Sequence, residues 1–146
     1  MYDIDLKKYL GTWFEIARIK NKFEPEMTNV KAEYSLNRDG SIKVTNTGYV
    51  DGKLRSISGV AEETDEPGVL RLSFFPGQES SYKILFVSDD YSYALVGGDK
   101  KDNLWFLSRT PELLEEDVMM RLVSIGLFAG YRCENIIFTK QNRMDW

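Results

Sequence analysis

Glu15 follows Trp13 by two residues in the stretch YLGTWFEIARIKNKFE (residues 9–24), a run whose apolar and aromatic residues otherwise read as a buried strand. A carboxylate in such a strand could serve as a general acid or base, contact a polar group of a bound molecule, or gather neighbouring donors into a structural knot. In each case it must find donors or take up a proton. Few other groups could do chemistry. The chain has no His, so triads and zinc sites built on His are absent, and proton transfer would fall to Asp, Glu, Lys or Tyr. Its one cysteine, Cys133, cannot form an intrachain disulfide and reads as a spectator thiol. The expectation is a protein without a catalytic constellation, metal centre or cofactor.

The elements that position Glu15 belong to one domain spanning residues 1–146, since this length suits a single core. With 19 Lys and Arg against 23 Asp and Glu, a net charge of −4 has the wrong sign for a phosphate backbone, which argues against nucleic acid as a partner. The longest uncharged run near the C-terminus, residues 122–131, holds ten residues, whereas a helix spanning a bilayer takes about 20, so no transmembrane segment is expected. The chain opens MYDIDLKK, with neither an apolar leader nor a cysteine for lipid attachment. This predicts a cytoplasmic protein, or one that begins after a removed leader. Oligomeric state is not legible.

Turn-rich patches recur at NKFEPE (21–26), NRDG (37–40), DG (51–52), TDEPG (64–68), PGQESS (76–81), SDD (88–90) and GGDKKDN (97–103), separating eight strand candidates. The pattern predicts an antiparallel up-and-down meander. Thr110, Pro111 and Glu112 precede apolar residues spaced by three and four (Leu114, Val118, Met119, Leu122, Val123), which predicts a helix from about Pro111 to Gly126 or slightly beyond. A last short strand is expected at residues 135–139.

Alternation shows what the strands enclose. Ala32, Tyr34 and Leu36 share one face against Lys31, Glu33 and Ser35; Ile42 and Val44 oppose Lys43 and Thr45; Leu70, Leu72 and Phe74 oppose Arg71 and Ser73. Eight strands with one dry face each can close into a barrel, removing exposed edges. A barrel of this size is filled by side chains or holds one small ligand. Small residues among the large inward ones (Ala17, Ala32, Gly59, Ala61, Ala94) leave room, although they also suit a filled interior.

Three blocks in order resemble the lipocalin family, and more closely its bacterial outer-membrane and apolipoprotein D-like branch: Gly11-Thr12-Trp13 continuing as Phe14-Glu15-Ile16-Ala17-Arg18, then Asp89-Asp90-Tyr91-Ser92-Tyr93-Ala94, then Leu107-Ser108-Arg109-Thr110-Pro111. The resemblance covers roughly residues 5–140. It implies an all-β fold, an eight-stranded antiparallel up-and-down β-barrel with one C-terminal α-helix packed outside, in which Trp13 plugs the closed end and Arg109 lies across it. It also implies carriage of fatty acids, lysophospholipids or similar hydrophobic molecules, and the cell envelope (outer membrane or periplasm) if a leader has been removed.

Strand parity then places Glu15 on the same side as Trp13, about 7 Å above it inside the barrel. Candidate donors are Tyr34, Asn46, Tyr82 and Arg109; whether Glu15 holds a structural knot or contacts ligand stays open. The expected ligand-binding set is Glu15, Ala17, Tyr34, Val44, Asn46, Leu72, Phe74, Tyr82, Ile84 and Trp105, with Ala32, Ile42, Ile57, Leu70, Phe86, Val96 and Leu107 also inward. This is an apolar cup with a few hydroxyl and amide groups, suited to an acyl chain with a small polar head. A filled-barrel interaction domain, and a lipid-modifying enzyme using Glu15 or a tyrosine, are the alternatives.

Overall fold

The computed structural model describes residues 4–20 and 26–142; the first expected turn, at 21–26, lies outside the described residues except for Glu26. A single helical turn, α1 (Leu6–Tyr9), leads into β1 (Gly11–Ile19), followed by β2 (Thr28–Leu36), β3 (Ile42–Val50), β4 (Lys53–Glu63), β5 (Val69–Phe75), β6 (Gln78–Val87), β7 (Tyr93–Gly97) and β8 (Leu104–Ser108). Helix α2 (Glu116–Phe128) and β9 (Ile136–Phe138) complete the order. Each strand from β2 to β7 pairs antiparallel with the next, β8 pairs with β1, and β1 closes the ring on β2 through Gly11 opposite Tyr34 to Phe14 opposite Lys31. The meander is thus a closed eight-stranded barrel, with β9 added on β1 opposite Ala17–Ile19.

Two hydrophobic clusters follow from the alternation. The inner one gathers Trp13, Tyr34, Val44, Leu70, Ile84, Val96 and Leu107 inside the barrel. The outer one packs Leu95, Leu104 and Phe106 of β7 and β8 against Met119 and Leu122 of α2 and against Tyr131. The helix covers an apolar patch on the outer wall, as its stripe requires.

Three expectations are corrected. Helix α2 begins at Glu116, about five residues later than the capping signals implied. The amide of Thr110 donates to Ser108 Oγ, and its hydroxyl serves the Glu112 carboxylate and lowers its pKa, so these residues satisfy one another in a turn and do not cap a helix. A second helix, α1, was not expected at all; Asp5 caps it by accepting from the Lys7 amide at 3.0 Å. Finally, strand parity breaks at β-bulges between Glu15 and Ala17 and between Ile84 and Phe86. One extra residue flips every later side chain to the opposite face. Ala17 therefore sits in the outer cluster under α2, Phe86 joins that side, and Arg18 and Val87 turn inward in their place.

Gly59 also does something other than leave room. A Cβ there would come within 2.7 Å of the Phe74 ring and 2.4 Å of the Ser73 carbonyl oxygen, so the missing side chain is what lets Phe74 lie against β4.

Candidate functional site

The closed end of the barrel is built on Trp13. Its side chain is fully buried and donates from Nε1 to the Tyr9 carbonyl at 2.8 Å. The guanidinium carbon of Arg109 lies 3.8 Å from the Trp13 ring centroid. The same guanidinium donates to three backbone carbonyls: Lys8 at 2.8 Å, Thr12 at 3.0 Å and Tyr91 at 3.0 Å. It thereby pins α1, the start of β1 and the β6–β7 turn to one point. Gly11 is needed beside it: its φ of +106° is in the left-handed region, and a Cβ would stand 3.3 Å from an Arg109 nitrogen. The β6–β7 turn is held by Ser88 and Asp90, whose oxygens accept from the Ser92 amide at 2.9 and 3.1 Å.

Above this plug stand the buried Tyr9 and Tyr34 and the half-buried Tyr82. Tyr9, delivered by α1, is within 2.6 Å of the Tyr82 hydroxyl, and Tyr34 is within 2.8 Å of the same oxygen. Burial raises the pKa of all three: Tyr34 to about 12, Tyr9 and Tyr82 well above the usual value, these two pushed further by the neighbouring phenol Tyr34. All three hydroxyls are protonated at physiological pH.

Over the tyrosines opens a cavity of about 490 Å³. Its wall is apolar, formed by Ala32, Val44, Leu72, Phe74, Val96, Trp105 and Leu107. Tyr34 and Tyr82 line it from below. Arg18, Lys31, Arg55 and Asp99 also line it, and Asn46, Thr47 and Asn103 add amides and a hydroxyl. Since β2, β4 and β6 run between the closed end and the β3–β4, β5–β6 and β7–β8 turns, Lys31 lies about 10 Å along β2 from Tyr34, and Arg55 about 13 Å along β4 from Gly59, which is level with Val44. Cations thus gather toward the open end and phenols at the floor.

Of the residues expected to bind ligand, the cavity brings together Glu15, Tyr34, Val44, Asn46, Leu72, Phe74, Tyr82 and Trp105. Ala17 is excluded by the bulge in β1, and Ile84, though inward and 1% exposed, is packed in the inner core and is not part of the cavity wall. Arg18, Lys31, Arg55 and the floor residue Tyr9 escaped sequence reasoning. Parity put Arg18 outside, and only the Asp5 cap ahead of Leu6-Lys-Lys-Tyr hinted at Tyr9.

Glu15 is 7% exposed, and its partners are not those expected. Thr139 Oγ1 donates to its Oε2 at 2.5 Å and Arg18 Nε lies 3.9 Å from the same oxygen. The reason is a seam. Beyond the Phe14–Lys31 pair, β1 and β2 part, and the segment after β9 enters the gap: the Thr139 amide donates to the Ile16 carbonyl at 2.9 Å, and the Asn29 amide to that of Lys140 at 2.7 Å. Gln141 Nε2 bridges the two strands by donating to the carbonyls of Glu15 and Val30, at 2.9 and 2.8 Å. Among the described residues no cluster of His, Cys, Asp and Glu could hold a metal ion, and no helix is long and apolar enough to cross a membrane.

Residues 4–141 match the lipocalin-like domain family. The chain is 37% identical over 143 residues to the outer membrane lipoprotein Blc of Citrobacter freundii, covering 95% of this chain and 80% of that protein. It is 35% identical over 126 residues to apolipoprotein D of Rattus norvegicus, covering 80% of this chain and 66% of that one. Among solved structures, apocrustacyanin C1 superposes with a TM-score of 0.78 at 19% identity, over 96% of this chain and 81% of the other, a likeness of fold. With its plugged barrel, outer helix and these relatives, the chain belongs to the lipocalin family.

Proposed function

We propose that this protein binds and carries small hydrophobic molecules, fatty acids or lysophospholipids by class, with the acyl chain in the barrel cavity. The observation that carries the reading is the cavity itself: about 490 Å³, within the usual range of roughly 300–1,000 Å³ for small-molecule sites, walled by apolar side chains with cations toward its open end. A filled barrel would leave no such space. Glu15, already engaged by Thr139 and flanked by Arg18, holds the seam of the wall together, which favours its structural role over a catalytic one. The likeness to outer membrane lipoproteins supports work in the cell envelope.

Affinity is expected to be modest. At about 0.3 kcal/mol per heavy atom, an eighteen-carbon acid gains about 5–8 kcal/mol, a Kd between about 100 µM and 1 µM. The test is displacement of an environment-sensitive dye, or quenching of Trp105, by a long-chain fatty acid or lysophospholipid at micromolar levels. Phe74→Asp, which puts a charge in the apolar wall, should bind at least about tenfold more weakly while remaining folded. Undiminished displacement by this variant, or no displacement from the wild type, would overturn the reading.

A further inference from the structure

The floor of the cavity contains a hydrogen-bonding surplus. Each tyrosine hydroxyl has one proton to donate and can accept as well. Tyr9, Tyr82 and Tyr34 form two bonds, with Tyr82 at the centre, and these consume two of the three protons. The third has no acceptor among the described residues. Three arrangements exist, and they differ in where that proton ends up. If Tyr34 donates to Tyr82 and Tyr82 to Tyr9, the spare proton is on Tyr9, which is 2% exposed and does not line the cavity, so a buried donor stays unsatisfied. If Tyr9 donates to Tyr82 and Tyr82 to Tyr34, or if both outer tyrosines donate to Tyr82, the spare proton is on Tyr34 or Tyr82, and both of these line the cavity. The second and third arrangements avoid the penalty of the first, so the floor presents one O–H donor upward into the ligand space.

We infer that the deep end of the cavity is a recognition site for a neutral oxygen, the hydroxyl or carbonyl of a lipid whose leading end is oxygenated, and that an anionic head remains at the cationic open end. A carboxylate at the floor fits poorly, because its two oxygens call for several donors and only one is offered. Toward the other end Arg55, together with Lys31 (3.5 Å from Glu33) and Arg18 (3.9 Å from Glu15), brings charge-assisted donors of the kind an anion requires. A plain hydrocarbon end fits poorly too, since it would leave the phenolic proton dry and unpaired. The ligand class that satisfies both ends is an oxygenated fatty acid or its lysolipid counterpart. This inference rests on the lipid-carrier reading and narrows it.

The experiment compares n-alkanoic acids with their ω-hydroxy counterparts over a series of chain lengths, by dye displacement from the wild-type protein. A hydroxyl normally weakens binding to an apolar pocket. Here, at the length that reaches the floor, the hydroxy acid should bind at least as tightly as its parent, and about tenfold better than the trend of the other lengths. In the double variant Tyr34→Phe/Tyr82→Phe, which removes the hydroxyls of both cavity-lining tyrosines at constant ring volume, that advantage should vanish while the parent acids bind as before or better. Either single variant should retain it, because the remaining hydroxyl inherits the spare proton. If the parent acids bind but no chain length favours the hydroxy acid, the floor inference is wrong and the carrier reading stands. Binding of neither series overturns both. If the double variant does not fold, the wild-type length series alone decides.

Discussion

The contact between Trp13 and Arg109 can be measured as a coupling energy. Trp13→Leu removes the π face and the indole donor but keeps much of the apolar bulk. With a fully buried ring and a 2.8 Å bond to the Tyr9 carbonyl, the change should cost about 2–4 kcal/mol, somewhat below a truncation to Ala. Arg109→Ala removes three donors to the Lys8, Thr12 and Tyr91 carbonyls together with the stack. At roughly 0.5–1 kcal/mol for each bond in this half-exposed setting and about 1 kcal/mol for the cation–π contact, its loss comes to about 2–4 kcal/mol. Once Trp13 is gone, Arg109 has no ring to cover, so its removal should cost less by the stacking energy. The double-mutant cycle should therefore show a coupling of about 0.5–2 kcal/mol. Urea unfolding of the four proteins gives the values, provided the double variant keeps part of a margin that is typically about 5–15 kcal/mol. Losses that add within about 0.3 kcal/mol would refute the stack as an energetic contact and leave Arg109 as a clamp of carbonyls alone.

Two other measurements bear on the floor and the seam. The native state holds the Tyr34 proton up to about pH 12, and burial likewise holds those of Tyr9 and Tyr82 well above the usual range, whereas an unfolded tyrosine ionises near 10. The unfolded chain therefore binds fewer protons above pH 10: stability is intact below that pH and falls as pH rises through the window to about 12, by about 1.4 kcal/mol per pH unit for each such tyrosine. Phenolate absorbance should show that Tyr9, Tyr34 and Tyr82 do not ionise until the fold is lost, and full phenolate absorbance near pH 10 in a protein with native circular dichroism would contradict this. At the seam, Thr139→Val removes the donor to Glu15 at nearly constant volume and should cost about 1–3 kcal/mol, with Thr139→Ser recovering most of it; a valine variant as stable as wild type would mean the bond is dispensable.

Local pattern was enough to place the strands and their order and to make closure possible, and the resemblance implied the barrel. Period-two alternation in β2, β3 and β5 marks one dry face, turn residues separate neighbours, and a meander of dry faces has few ways to bury them other than closure. The plug was legible through the family resemblance, which placed Trp13 and Arg109 together at the closed end. What only the tertiary structure decided depends on single insertions and distant partners. A bulge adds one residue without any distinctive residue type, yet it moved Ala17 out and Arg18 in, and changed the chemistry at the upper part of the wall. The hydroxyl that donates to Glu15 belongs to Thr139, 124 residues away, in a segment that enters only because β1 and β2 part. The tyrosine floor likewise joins α1, β2 and β6, whose hydroxyls come within hydrogen-bonding reach through closure of the barrel. Alternation along a strand tells which side a residue faces; which polar groups meet across the interior is set by the register and twist of eight strands at once.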